Sequence, residues 1–293
     1  MRSARPPLLT IAIPLHGAGR WIDGVVDTVE KAPDWSSVVI SDASHLDDSL
    51  ERLAARFRGD DRVSVIARRE KLDWRSHANL LLDEAKTEFF CWMPQDDLLT
   101  PGPYFELLVE ALEGKAGRVL AFPTVLKRVT RGRIVRREVD PVSFPSPPIE
   151  LGLRRPELEA VEMLRSWNMA IAWRGVFRTA SARPIPATLD APDLAWTFSL
   201  ALAGHFVEVP GARYLKRFHR GSAHRTMRSE GLAKAAELYR LEVEARLAGD
   251  PELRVEVLGQ LSRILARRRF GQMVNPLRRA GRLLADAPRV LFD

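Results

Sequence analysis

The sequence predicts an α/β fold with a mostly parallel central sheet that is covered by helices on both faces. In the first hundred residues, short apolar segments of strand length alternate with segments whose apolar residues recur at helical spacing. The strand segments are apolar throughout, which is typical of parallel strands buried on both faces. At 293 residues, the chain is long enough for one large domain with an appendage.

The predicted elements of the first half follow one another in regular alternation. The strands are expected at residues 8–14, 37–44, 63–67 and 89–93. The helices are expected at residues 22–29, 50–54 and 79–85. We also expect Thr100-Pro101 to begin a helix, with the Thr100 hydroxyl as cap and the proline as first residue.

The second half has a less regular pattern. We expect strands at 119–123, 170–177 and 206–210, a hairpin with arms at 125–129 and 134–139, and helices at 156–167 and 189–204. Residues 140–148 are rich in proline and serine without any period, which is typical of a loop. From 226 to 293 the sequence predicts a basic helical extension.

Composition narrows the class of protein. The apolar fraction of 46% and the charged fraction of 28% are ordinary for a globular protein. The formal net charge is +7, and residues 254–293 hold nine arginines against three acids. The remainder is therefore close to neutral, which argues against a nucleic-acid partner. The single cysteine, Cys91, excludes an intrachain disulfide, and no apolar run has the length of a signal peptide or membrane span, so we expect a cytoplasmic location.

Two adjacent carboxylates follow the apolar run at 89–93. Asp96 and Asp97 come shortly after its end, and Asp42 lies near the carboxyl end of the strand expected at 37–44. Ligands of open parallel sheets bind outside the carboxyl ends of the strands, so these acids are expected to face one crevice. A divalent cation with a bound phosphate would compensate such charges, whereas the alternative is a pair of solvated loop acids.

The order of these motifs resembles the family 2 glycosyltransferases of GT-A fold. The resemblance covers roughly residues 8–225 and consists of Ile11-Ala12-Ile13-Pro14, Val39 to Ser44, Trp74 with Asn79, Gln95-Asp96-Asp97, Asp193, and Tyr214 through His219 to Ser222. It implies a GT-A domain at 1–225, with a nucleotide half at about 8–100 and an acceptor half at about 101–225. Ser41 and Gln95 depart from the acids that are usual at their positions.

The resemblance implies a role for each matching residue. Pro14, Leu15, His16 and Asp42 look like the family's nucleotide contacts, and Asp96 is expected near the ribose. Asp97 and His219 look like ligands of Mn²⁺ or Mg²⁺, which would neutralise the leaving diphosphate. Asp193 falls where the family keeps the general base, so inversion is implied.

Several alternatives remain open at this stage. Asp193 could simply cap its helix, Asp190 competes with it as base, and His224 competes with His219. Trp167, Trp173, Arg174 and Gly175 are candidate acceptor contacts, although tryptophans here are more often core. Functionally, the resemblance implies an inverting, metal-dependent transferase. It moves a sugar from a nucleotide-diphosphate sugar, for which we expect a UDP-linked donor, to a hydroxyl of a saccharide or lipid-linked acceptor. The alternatives are a nucleotidyltransferase and a catalytically silent nucleotide-sugar-binding protein.

The basic segment 254–293 has two interpretations. Its leucines and arginines are arranged as in an amphipathic helix, which could lie on anionic lipid at the inner face of the membrane. Alternatively, its apolar stripe packs on the catalytic domain or on a second subunit in a homodimer.

Overall fold

A computed structural model describes residues 6–131, 134–139, 151–165, 169–186, 192–218 and 231–273. Within these residues, nine strands form one sheet. They are β1 (Leu9–Leu15), β2 (Ser36–Asp42), β3 (Val63–Ala67), β4 (Phe89–Trp92), β5 (Leu98–Leu99), β6 (Arg118–Arg131), β7 (Ile134–Val139), β8 (Val176–Arg178) and β9 (His205–Phe218). The spatial order is β3-β2-β1-β4-β8-β6-β9-β5, with β7 paired to β6.

Eight α-helices surround this sheet in the described part of the chain. They are α1 (Ile22–Glu30), α2 (Ser49–Arg56), α3 (Trp74–Glu84), α4 (Tyr104–Glu110), α5 (Pro156–Met163), α6 (Pro192–Ala201), α7 (Gly231–Arg246) and α8 (Pro251–Met273). Short 3₁₀ helices occur at Gly19–Trp21, Met169–Arg174 and Thr179–Ser181. The predicted α/β class and the C-terminal helical extension are confirmed.

The first half of the chain forms the parallel part of the sheet, as predicted. Strands β3, β2, β1 and β4 are mutually parallel, and β4 is buried along its whole length. Because β1 pairs with both β2 and β4, the loops that follow these three strands meet at one edge. This edge carries the candidate site. Cys91 lies within β4 and is buried, and burial raises the pKa of its thiol.

The second half of the sheet is mixed rather than parallel. Strand β8 runs antiparallel to both β4 and β6, while β6 and β9 are parallel to each other. The predicted hairpin is confirmed for β6 and β7, which pair Arg131 with Ile134. The predicted strand at 170–177 is wrong in its first part, which forms the 3₁₀ helix Met169–Arg174 before the short strand β8.

Two further predictions about elements are corrected. The last strand was expected to end at 210, but β9 continues to Phe218 because its ladder with β6 resumes at Arg213 after an irregularity that accommodates Pro210 and Gly211. Thr100 does not cap a helix, since its hydroxyl donates to the Arg213 carbonyl oxygen at 3.1 Å and α4 begins only at Tyr104. The expected loop at 140–148 lies outside the described residues, as does the expected domain boundary at 225.

The C-terminal helices pack on helices α5 and α6. Helix α8 lies against α5 with buried Leu253, Val257, Leu261 and Ile264, and α7 lies against α6, where Tyr239 contacts Phe198. The packing interpretation therefore holds for the stripe at 253–264, which is not exposed for lipid contact. Residues 274–293 lie outside the described part. No helix of the described residues is long and apolar enough to cross a membrane.

Candidate active site

A cavity of about 280 Å³ opens at the carboxyl ends of β1 and β4, beside α3. It brings together Pro14, Leu15, His16 and Asp96, all predicted nucleotide contacts, together with Trp173 from the predicted acceptor contacts. The rest of its lining is Leu72, Trp74, His77, Ala78, Trp92, Pro94 and Gln95. An apolar pocket with a few polar groups at this edge of an α/β sheet is the usual form of a ligand site.

Gln95 joins the loops that follow β1 and β4. Its Oε1 accepts from the His16 backbone N–H at 2.8 Å, and its Nε2 donates to the His16 carbonyl oxygen at 2.9 Å. An amide can make both bonds, whereas a carboxylate could only accept. The glutamine that replaces the expected acid at position 95 therefore has a structural role, since its amide fixes the rim of the cavity.

Asp97 is buried beneath the cavity and is only 4% exposed. Its Oδ2 accepts from the Tyr214 hydroxyl at 2.9 Å, and its Oδ1 accepts from the Arg217 backbone N–H at 2.8 Å. Arg174 adds an ion pair, with Nε 3.5 Å from Oδ2. Burial raises the pKa of the Asp97 carboxyl, against the opposing effect of Arg174 and the two hydrogen bonds. Since both oxygens are engaged, this geometry does not favour the expected role of Asp97 as direct metal ligand.

Asp96 differs from its neighbour because it lines the cavity. Arg217 supports the turn that carries it, since its Nε donates to the Asp96 carbonyl oxygen and its guanidinium lies 4.4 Å from the Trp21 ring centroid. Among the described residues, no group of three or more His, Cys, Asp or Glu side chains could hold a metal ion. A single carboxylate still suits Mg²⁺ or Mn²⁺, because such ions often use one or two carboxylates together with substrate phosphates. His219 and His224 lie outside the described residues.

Arg174 forms an ion pair with Asp97 of the Asp96-Asp97 turn. Burial tends to lower the pKa of its guanidinium, but Asp97, Tyr214, Asp193 and Asp96 together raise it above its usual value. Arg174 was predicted to contact the acceptor, yet its side chain is only 11% exposed and pairs with Asp97. The structure thus gives it a role in holding the carboxylates of the site.

Asp193 lies in the first turn of α6 and is partly exposed. Its Oδ1 accepts from the Leu194 backbone N–H at 3.0 Å, and its carbonyl oxygen accepts from the Thr197 hydroxyl at 2.7 Å. An acid in the first turn is favourable for the helix dipole, so the capping interpretation keeps some support. Asp193 does not line the cavity, and its charge is one of several that raise the pKa of Arg174. Asp190 lies outside the described residues.

Asp42 does not line the cavity. Its Oδ1 accepts from the backbone N–H and the hydroxyl of Ser44, both at 2.7 Å, and its Oδ2 accepts from the His45 backbone N–H at 3.2 Å. These bonds close the turn after β2, where His45 has a positive φ of 52°. These bonds give Asp42 a structural role in the turn, and its contact with a nucleotide stays a prediction.

The tryptophans near the cavity form one aromatic cluster. The Trp92 and Trp173 rings stack at 4.4 Å with an interplanar angle of 15°, and Trp196 and Trp74 contact Trp173 edge-on. Trp173 is only 8% exposed, whereas Trp74 is 49% exposed. The core interpretation thus holds for Trp173 apart from its edge in the cavity. Trp167 lies outside the described residues.

Gly175 does not offer space for a sugar. A Cβ at this position would lie 2.1 Å from the Ala121 carbonyl oxygen on β6, so the backbone of the neighbouring strand fills the room that the glycine leaves. Gly175 thus has a packing role against β6, and its contact with an acceptor stays a prediction.

Sequence reasoning missed the part of the cavity formed by α3. His77 lines the cavity, and Trp74 and Ala78 lie on the same face of α3. Asp73 caps this helix by accepting from the backbone N–H groups of Arg75 and Ser76. The signal available in the sequence was the spacing of 74, 77 and 78, which places them on one face.

Comparisons with known proteins agree with this architecture. The model of the family described as "Glycosyl transferase family 2" matches residues 10–178. S. aureus TarS 1-349 in complex with UDP-GlcNAc has a TM-score of 0.62 at 15% identity, covering 87% of this chain and 72% of that one. The mannosyltransferase PcManGT from Pyrobaculum calidifontis, in complex with GDP-Man and Mn²⁺, has a TM-score of 0.54 at 15% identity, covering 99% and 82%. No curated protein sequence matches significantly.

Proposed function

The chain belongs to glycosyl transferase family 2, and on this basis we propose that it transfers a sugar from a nucleoside-diphosphate donor to an acceptor hydroxyl with inversion. The observation that carries the proposal is the position of Asp96 in a cavity at the sheet's carboxyl edge, where it shares the lining with Pro14, Leu15 and His16. Two neighbours of the same fold are complexes with UDP-GlcNAc and GDP-Man. Family membership favours this function over a nucleotidyltransferase.

The donor occupies the cavity, with its nucleoside between the loop at Pro14 to His16 and α3 and its diphosphate near Asp96. Asp96 would hold the divalent cation together with the phosphate oxygens, which revises the expected assignment to Asp97. When bound, the cation acts as a Lewis acid that neutralises the charge developing on the leaving diphosphate. Asp97 keeps the Asp96 turn in place through Tyr214 and Arg217.

Asp193 acts as the general base. Its carboxylate takes the proton from the acceptor hydroxyl while that oxygen attacks the anomeric carbon from the face opposite the diphosphate, which inverts the configuration. A well-placed base contributes about 10²–10⁴-fold to the rate. The acceptor is a hydroxyl of a saccharide or of a lipid-linked saccharide. This role for Asp193 agrees with its partial exposure at the beginning of α6.

A screen of nucleotide sugars with Mn²⁺ or Mg²⁺ tests the proposal, with donor hydrolysis and acceptor glycosylation as readouts. Asp193→Asn should lower turnover at least a hundredfold and leave nucleotide binding intact. Asp96→Asn should weaken metal-dependent nucleotide binding. Asp48→Asn is the control, since Asp48 is exposed and lies outside the cavity. Nucleotide binding without any turnover would instead support the silent binding protein, and turnover that survives Asp193→Asn would place the base elsewhere.

A further inference from the structure

Three hydrogen-bonded residues, Ser41, Arg68 and Glu84, hold the His77 side chain, and we call them the polar relay. The His77 Nε2 lies 2.8 Å from the Ser41 Oγ, and the Arg68 Nε donates to the same oxygen at 2.8 Å. Arg68 is in turn fixed by Glu84, which accepts from both Nη atoms at 2.7 and 2.6 Å. His77 is only 3% exposed and lines the cavity, whereas the other three side chains do not line it.

The polar relay determines the protonation state and the tautomer of the His77 ring. Burial, followed by the nearby Arg68 charge, lowers the pKa of His77 to about 4, so the imidazole is neutral at pH 7. Arg68 can only donate to the Ser41 oxygen, and the His77 Nε2 is the acceptor that the described hydrogen bonds offer to the Ser41 hydroxyl hydrogen. A ring that accepts at Nε2 carries its proton at Nδ1. Nδ1–H is therefore the hydrogen-bond donor that His77 has left for a ligand in the cavity.

The surroundings of His77 suit a flat aromatic ring. Trp74, Trp92 and Trp173 line the cavity with His77, and Asp96 lies on the same lining. Aromatic side chains stack on nucleobases, and a polar atom at the edge of the stack distinguishes one base from another. A neutral Nδ1–H pairs with a keto oxygen but not with an exocyclic amino group, which is itself a donor.

We propose that His77, fixed by Ser41 and Arg68, is the specificity-determining residue that recognises the keto oxygen of the donor's base, at C4 of uracil or C6 of guanine. The inference rests on the proposed function, because it assumes that a nucleotide occupies the cavity. It explains why Ser41 can replace the acid expected at this position: its hydroxyl orients the ring that reads the base.

Isothermal titration of the full chain in the presence of Mg²⁺ tests the inference with two matched nucleotide pairs. UDP and CDP differ at C4 by a keto oxygen against an amino group, and GDP and ADP differ in the same way at C6. For the pair that binds more tightly, we expect the wild-type protein to prefer the keto nucleotide about threefold to tenfold, the effect of one hydrogen bond. His77→Leu should reduce this preference to below about twofold.

Two further variants make the outcome decisive. Ser41→Ala removes the hydroxyl that fixes the tautomer and should also reduce the preference, so the test survives if His77→Leu fails to fold. His45→Asn should keep the wild-type preference, since His45 is exposed and asparagine tolerates its positive φ. An unchanged preference in both His77→Leu and Ser41→Ala would overturn the inference while leaving the proposed function standing. Failure of every nucleotide to bind the wild-type protein would overturn the proposed function itself.

Discussion

Arg174 and Asp97 form a buried ion pair beneath the cavity, with Nε 3.5 Å from Oδ2 and side chains that are 11% and 4% exposed. Removing one member of such a pair leaves an uncompensated charge in a low-dielectric environment. We therefore expect Arg174→Met to lower the free energy of unfolding by about 3–5 kcal/mol, measured by urea denaturation. Adding Asp97→Asn should recover part of this loss, because the remaining charge disappears.

The exposed pair of Arg52 and Asp48 is the control for this prediction. Their nitrogen and oxygen lie 4.0 Å apart, and the side chains are 54% and 74% exposed. Arg52→Met should change the stability by less than about 1 kcal/mol, since solvent screens such pairs. If Arg174→Met costs no more than Arg52→Met, the pair has no structural role.

Gly175 and Gly259 allow a second matched comparison. A Cβ at Gly175 would lie 2.1 Å from the Ala121 carbonyl oxygen, a backbone atom that cannot move aside, whereas a Cβ at Gly259 in α8 has nothing within 4 Å. Gly175→Ala should thus lower the free energy of unfolding by about 1–3 kcal/mol or more, as overpacking does, or prevent folding. Gly259→Ala should raise the stability by about 0.5–1 kcal/mol through helix propensity. Melting temperatures measure both, and a Gly175→Ala protein that melts like the wild type would exclude the close contact.

The parallel half of the fold could be predicted from the sequence because its signals are local. Each strand from β1 to β4 is a short apolar run, and each helix between them has its own apolar spacing. The position of Asp96 at the end of β4 followed from the same pattern. The course of β9 could not be predicted in this way, because Pro210 and Gly211 end the local strand pattern although pairing with β6 continues beyond them.

The partners of the acids could not be predicted because they come from distant parts of the chain. Tyr214 is 117 residues from Asp97, and only the pairing of β5 with β9 brings them together. The roles of Asp96 and Asp97 depend on which carboxylate turns toward the cavity, and their order in the sequence contains no signal for this. The same holds for His77, whose relay joins β2, the end of β3 and α3.

The buried imidazole of His77 should make the protein sensitive to mild acid. Its pKa is lowered to about 4 from an ordinary 6.5, by burial and then by Arg68, while Asp42 and Glu84 act in the opposite direction. In the unfolded chain, the His77 imidazole therefore binds a proton near pH 6.5, whereas in the folded chain it does so only near pH 4. The contribution of His77 to the free energy of unfolding is therefore complete above pH 6.5. As the pH falls to about 4, the free energy of unfolding decreases by on the order of 3 kcal/mol.

Urea denaturation at pH 7 and at pH 4.5 measures this effect. Other groups also titrate in acid, so the informative quantity is the difference between wild type and His77→Leu. The wild-type protein should lose more stability than His77→Leu between the two pH values. His45→Asn should follow the wild type, since His45 is exposed. Parallel losses in wild type and His77→Leu would mean that His77 is accessible to protons in the folded state.

Glu242 on α7 should influence the position of the proposed base. Its Oε2 accepts from the Ser199 hydroxyl at 2.7 Å and from the Arg183 Nη1 at 3.3 Å. Ser199 belongs to α6, which begins with Asp193, and Arg183 belongs to the segment before it, where its carbonyl oxygen accepts from Trp196. The C-terminal extension thus holds both the helix of the base and the segment preceding it.

Glu242→Ala should lower kcat several-fold and leave UDP affinity unchanged, because the proposed nucleotide contacts lie at the ends of β1 and β4 and on α3, while the proposed base lies on α6. The stability should fall by only about 1–2 kcal/mol, as expected for lost hydrogen bonds to a partly exposed carboxylate. Glu244→Ala is the matched control, since Glu244 lies on the same helix and pairs only with Arg240 on the surface among the described contacts. A purely structural role for α7 would instead predict equal kcat in both variants, with the difference confined to stability. Turnover and calorimetric titration on the same preparations separate the two outcomes.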